Sequence, residues 1–202
     1  MLVGLTLAVT LAACGGGSST SSSISASTRT ASTATASTST ASAQTSTSAS
    51  KAVPVKFQLS SPAFRMGGKI PARYTCDGAN VSPPLQWQKV PPGTVQLLLM
   101  VFELPQTPKG GTLWVVGNIS PGTRGIAADA IPAGAVMGRN GKGTIKWGGI
   151  CPAKGKPHSL VFVLYALRKK LAFSQGFDVS KIRPQLTAAS ISAGVAYGTY
   201  RR

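Results

Sequence analysis

Acidic residues are nearly absent from this chain. Asp77, Glu103, Asp129 and Asp178 are its only carboxyl side chains, set against 21 Lys and Arg, and His158 is its single histidine. Four scattered acids and one histidine give no cluster with metal-ligand spacing, so neither a metal site nor a cofactor is expected. There is also no Gly-x-Ser-x-Gly elbow, Walker loop, His-Glu-x-x-His or paired-cysteine motif, which removes the common hydrolase, nucleotide-binding and redox classes. Aromatic residues make up only 6% of the chain, with no zinc-finger spacing or RNA-binding aromatic signature among the basic residues, so nucleic acid is not expected as a partner. The apolar run Leu2 to Ala13 is too short to cross a bilayer as a permanent helix.

That run has a better reading as a signal-peptide core. It ends in Leu11-Ala12-Ala13-Cys14, wording similar to a bacterial lipobox whose cysteine is lipidated after cleavage. No Lys or Arg precedes it, a departure that points to a start upstream of Met1. From Gly15 to Ser50, 23 of 36 residues are Ser or Thr and Arg29 is the only charge, so this stretch has nothing to bury against the entropy of ordering it. As a random coil it would hold the rest of the chain roughly 30 to 35 Å from an anchor at Cys14. The expected organisation is a signal peptide at 1–13, a lipidated cysteine with a disordered tether at 14–51, and one folded domain at 52–202.

The domain carries nineteen of the basic residues and all four acids. Such an excess implies attraction to anionic surfaces, phospholipid or wall polymer, although Arg168-Lys169-Lys170 is the only run of three. Export also places Cys76 and Cys151 where disulfides persist; they are either bonded to each other or two buried reduced thiols.

Strand signals dominate. Val55 to Ser60 alternates apolar and polar, and Val95 to Glu103 is a near-continuous apolar run of the kind buried on both faces. Thr112 to Ile119 and Ser159 to Leu167 are strand-like, and Thr144 to Trp147 reads as a short strand. The Gly-, Pro- and Ala-rich span from Ile126 to Gly143 reads as an irregular loop closing at Asn140-Gly141. Helix is expected only late: Asp178 or Ser180 is placed to cap a turn, and Ser190 to Tyr197 reads as a short final helix despite Gly194. Strands separated by turns give a mainly β domain of packed antiparallel sheets with a few short peripheral helices.

The densest segment is Tyr74-Thr75-Cys76-Asp77-Gly78-Ala79-Asn80-Val81-Ser82-Pro83-Pro84-Leu85-Gln86-Trp87, an ordered non-helical connection leading Trp87 into a strand. With Leu59-Ser60-Ser61-Pro62-Ala63-Phe64 before it and Trp114-Val115-Val116-Gly117-Asn118-Ile119, Gly138-Arg139-Asn140-Gly141, Cys151-Pro152, His158 and Gly198-Thr199-Tyr200 after it, the order resembles the phosphatidylethanolamine-binding protein family, in its bacterial Raf-kinase-inhibitor-like branch. The resemblance runs from about Phe57 to Tyr200 and implies a β-sandwich with a small pocket for an anionic head group.

Three strips supply that pocket in the family. The first, Asp-Pro-Asp-x-Pro, is matched by Leu104-Pro105-Gln106-Thr107-Pro108, with both carboxylates replaced. The family's pocket histidine before the aromatic is matched by Leu113. The third strip ends in His-Arg-Tyr, here His158-Ser159-Leu160, and the Gly-Pro-Cys-Pro-Pro loop is altered to Gly149-Ile150-Cys151-Pro152-Ala153. Leucines at 104, 113 and 160 strip polar groups from one small cavity, so the resemblance implies an apolar pocket with weak or no phosphate binding. The expectation is a non-enzymatic binding or inhibitor-like protein, its partner a small molecule, lipid or envelope protein. The alternatives are a cationic module attaching to anionic wall polymer or lipid and, remotely, a thiol-dependent hydrolase built on Cys151, His158 and Asp77.

Overall fold

The structure, a computed structural model, describes residues 57–105 and 111–202. The signal peptide, Cys14 and the Ser/Thr tract called from sequence lie outside the described residues, as do Gln106 and Pro108.

Eight strands and one α-helix follow in chain order: β1 Gln58–Ser60, β2 Leu85–Gln88, β3 Gln96–Leu104, β4 Thr112–Ile119, β5 Gly125–Ile126, β6 Val136–Met137, β7 His158–Leu167, α1 Val179–Ala189 and β8 Ser190–Tyr200. They form a three-stranded sheet in the order β1-β2-β5 and a five-stranded sheet in the order β6-β4-β3-β7-β8, with antiparallel pairing throughout. One core packs Leu59, Leu85 and Trp87 of the small sheet with Leu97, Leu99, Val101, Leu160, Phe162 and Leu164 of the large one. A second core gathers Leu98, Met100 and Val115 with Leu171, Phe173, Phe177 and the buried side of α1. Successive side chains of a strand alternate faces, so β3 feeds both cores, and its unbroken apolar run follows from having no solvent face. Each fully buried leucine or valine there contributes about 1.5–3 kcal/mol.

Two local expectations are overturned. Ser190 to Tyr197 is not helix: it is the start of β8, paired with β7 from Ser190↔Leu167 to Tyr200↔His158. Its small residues are what the packing requires, since a Cβ on Gly194 would meet Leu59 at 3.3 Å and one on Gly198 would meet Ile70 at 2.7 Å. Tertiary pairing outweighs the local helical preference of Ala193 and Ala196. The helix lies just upstream, with Asp178 at its N-cap accepting from the Ser180 amide at 2.8 Å.

Thr144 to Trp147 is not a strand either. The buried Asn140 takes its backbone groups: Oδ1 accepts from the amides of Lys142 and Thr144, both at 3.0 Å, and Nδ2 donates to Lys146 O at 3.2 Å. The loop expected from Ile126 to Gly143 contains the short strand β6, paired with β4 through Val116↔Met137 and Gly117↔Val136.

Candidate functional site

Three neighbouring strands of the large sheet end together on the face toward the first core. β3 brings Glu103, β7 brings His158 and β8 brings Tyr200. Tyr200 stands directly opposite His158, and Glu103 opposite Leu160, which makes His158 its diagonal neighbour on the same face. His158 Nδ1 lies 2.7 Å from Glu103 Oε1, with the two side chains only 13% and 11% exposed. The imidazole and the carboxyl share one hydrogen across this contact. The pairing is what makes a buried carboxyl tolerable at the end of an apolar strand.

A second polar group adjoins the row. The 3-10 turn Ala72–Tyr74 leads into Thr75, whose hydroxyl donates to Ala72 O at 2.9 Å and accepts from the Asp77 amide at 3.2 Å. Thr75 bridges Ile150 in parallel, and the Cys76 amide donates to Ile150 O at 3.2 Å, so the two cysteine-bearing segments run side by side. Cys76 and Cys151 are joined by a disulfide with their Cα atoms 5.3 Å apart. Gly149 lets these segments close up, because a Cβ there would collide with the Asn80 side chain and come within 3.0 Å of Trp147 Nε1.

Asp77 then faces the row. It accepts from the Tyr200 hydroxyl at 2.6 Å and from Arg202 Nε at 2.9 and 3.1 Å, and Arg202 Nη2 lies 2.9 Å from Oδ1. The Tyr200 hydrogen bond holds the Asp77 carboxyl below its ordinary value, against partial desolvation and with help from Arg202. Arg202 Nη1 also lies 3.8 Å from Cys151 Sγ.

The other sequence-derived positions separate. Leu113 and Leu160 are buried in the first core, at 5% and 0% exposure. Leu113 reaches it through a bulge: Val101 pairs with Trp114 and Phe102 with Thr112, leaving Leu113 as the extra residue and turning it and Trp114 to the same side. Leu104, in contrast, is turned away from Glu103 by strand alternation and is 42% exposed, so it does not share a wall with Leu113 and Leu160. Pro105 is exposed, Pro152 and Gly149 are buried, and Cys151 is exposed. Cys151, His158 and Asp77 form no triad, since each bonds a different partner: Cys76, Glu103, and Tyr200 with Arg202. Among the described residues, no three His, Cys, Asp or Glu side chains come together as a metal site.

Glu103 was missed as a site residue. The strand period alone places it on the face of Leu97, Leu99 and Val101, and only the register with β7 reveals the histidine beside it. The family model for phosphatidylethanolamine-binding protein matches residues 60–201, which include Asp77, Glu103, His158 and Tyr200. The chain belongs to that family. It is 37% identical over 150 residues to an uncharacterised-family (UPF0098) protein of Methanothermobacter thermautotrophicus, covering 71% of this chain and 98% of that one. It is 31% identical over 198 residues to the candidate lipoprotein LppC of Mycobacterium tuberculosis, covering 98% and 92%. Among solved structures, the family homologue CT736 of Chlamydia trachomatis superposes with a TM-score of 0.67 at 32% identity, covering 73% of this chain and 98% of that one. The mainly β sandwich is thus the family's fold.

Proposed function

We propose that this protein is a non-enzymatic, envelope-anchored binding or inhibitor-like member of the phosphatidylethanolamine-binding protein family whose anion pocket no longer takes an anion. The observation that carries this reading is the 2.7 Å contact between His158 Nδ1 and Glu103 Oε1. The one histidine is bonded to an internal carboxyl, and Leu113 and Leu160 are core leucines. An incoming phosphate would have to displace a buried acid and shed its water with few donors to replace it. Isothermal titration with inorganic phosphate and with O-phosphoethanolamine is expected to show no saturable binding. Dissociation constants of about 1 mM or tighter, corresponding to about −4 kcal/mol, that are lost in His158→Ala would overturn the reading.

The disulfide supports the non-enzymatic part, because a sulfur bonded to another sulfur is not a thiolate nucleophile. The long alignment with LppC supports an envelope location. Lipid labelling of the full chain is expected to disappear in Cys14→Ser, and unchanged labelling would remove the anchor from the proposal.

A second reading rests on the basic end of β8. Lys69, Arg201 and Arg202 line a groove of about 490 Å³ with Pro157, Thr199 and Tyr200. It suits attachment to an anionic wall polymer or lipid surface. Binding to phosphatidylglycerol vesicles should then fall steeply as salt rises, whereas pocket binding should not. Salt-insensitive vesicle binding would rule this reading out.

A further inference from the structure

Behind the bulge that buries Leu113, the next residue has an unmet need. The Trp114 side chain is 2% exposed, and its Nε1 finds no hydrogen-bond acceptor among the described residues. The other two indoles are satisfied: Trp87 Nε1 donates to Thr123 O at 2.8 Å and Trp147 Nε1 to Tyr74 O at 3.3 Å. Leaving a buried donor unpaired is costly, and nearly all such groups in folded proteins have a partner. Trp114 also lines a cavity of about 200 Å³, with Trp147, Ile131, Met137, Asp129 and Lys146 among the walls. The two indoles meet edge to face, 5.6 Å between centroids at 87°. None of the family's head-group positions contributes to this cavity.

We propose that this cavity is a second ligand site, taking a small neutral molecule with an apolar or aromatic body and one carbonyl-type acceptor that receives the Trp114 Nε1–H. The apolar walls, Ile131, Met137 and the two rings, fit the body. The buried donors on offer, the Trp114 Nε1–H and the hydroxyl of Ser82, which also lines the cavity, are neutral and few; they fit a carbonyl and not a carboxylate, which would need several donors to leave water. At the rim, Asp129 and Lys146 are both exposed and of opposite sign, so the mouth has no net preference for an ion. Asp129 is held there by an unusual backbone, with φ at +57° and its amide donating to Ser82 O at 3.1 Å. A left-handed non-glycine residue at a cavity mouth is a feature that recurs at ligand sites.

The test uses the full chain, labelled with nitrogen-15, and two probes of nearly equal shape. Acetophenone carries the carbonyl; α-methylstyrene replaces it with a methylene. Acetophenone should shift the Trp114 indole N–H resonance saturably, assigned by its absence in Trp114→Phe, while the Trp87 resonance stays in place. It should bind at least about five-fold more tightly than α-methylstyrene, the factor expected for one net hydrogen bond. Ala130→Trp, a change at the exposed rim, should block the shift without touching the buried indoles. No saturable shift, which would leave the cavity to water, overturns the proposal. Equal affinity for the two probes overturns the role of Trp114, and tighter binding of benzoate overturns the neutral class.

Discussion

A double-mutant cycle on Glu103 and His158 measures whether their contact is a structural pair that has taken over the pocket histidine. In Glu103→Leu the new side chain continues the apolar face of Leu97, Leu99 and Val101, opposite Leu160, so transfer of the leucine itself is favourable. What remains is a largely buried imidazole whose Nδ1 has lost its acceptor. Leaving such a group unsatisfied costs about 1–3 kcal/mol. His158→Leu strands the Glu103 carboxyl instead, and an unpaired buried acid costs more, up to about 3–5 kcal/mol if it stays ionised. In the double variant both polar groups are gone, and the stability should return to within about 1 kcal/mol of the wild type. The coupling, the sum of the single losses less that of the double variant, is therefore expected to be at least about 1.5–3 kcal/mol, the range for hydrogen bonds to charged groups. For a domain of this size that is a recovery of very roughly 3–12 °C in the midpoint, readable by thermal melts and better by urea titration with the disulfide intact. Additive losses, with coupling below about 0.5 kcal/mol, would show that the contact holds nothing and would remove the main support for a closed anion pocket.

Three further outcomes follow from the same region. Replacing both cysteines by alanine opens a covalent loop with a sequence separation of 75, for which chain entropy gives a loss of about 4.5 kcal/mol; urea titration showing unchanged stability would contradict this. Asp77 has its carboxyl lowered by the Tyr200 hydroxyl first and by Arg202, so its contribution is present above the ordinary value of 3.8 and lost as the pH falls below it. Asp77→Asn should therefore flatten the acid-side fall in melting temperature below pH about 4, leaving the share due to the Asp178 cap, which is lowered by Ser180; a fall as steep as that of the wild type would refute this. Gly149→Ala forces a methyl group onto Asn80 and Trp147 and should cost about 1–3 kcal/mol, and a melting temperature at or above wild type would mean the two segments can part.

How far the sequence speaks for itself differs from element to element. β3, β4 and β7 were legible because long apolar runs admit few other fates in a domain with so little helix. The final strand was not: Ala193 and Ala196 favour helix locally, and what makes Ser190 to Tyr197 a strand is its pairing with β7 and the close approach of Gly194 to Leu59, more than a hundred positions away. The strand expected at Thr144 to Trp147 failed for a different reason, since one buried asparagine side chain took the hydrogen bonds a ladder would have needed. The site shows the same split. The family resemblance pointed to His158 and led to the expectation of replaced carboxylates at 104 and 106. It could not see that a carboxyl one residue earlier occupies the face the histidine shares.

That single step matters more than its size suggests. Along β3 a shift of one residue moves a side chain from one core to the other, because the strand is buried on both faces. A carboxyl at 104 would lie on the side where Leu104 is now 42% exposed, free to meet solvent or a ligand from outside. At 103 it lies inward, 8% exposed, and its nearest donor is the histidine. A charge at 103 is thus one the sheet uses internally, not one a ligand can meet. The neighbouring segment is built the opposite way: Asp77, though bonded to Tyr200 and Arg202, remains at the surface beside the disulfide. If the row at the strand ends still contacts a partner, Asp77 and Arg202 are its accessible members. Asp77→Ala and Arg202→Ala should then weaken that contact, while His158→Ala should act only through stability.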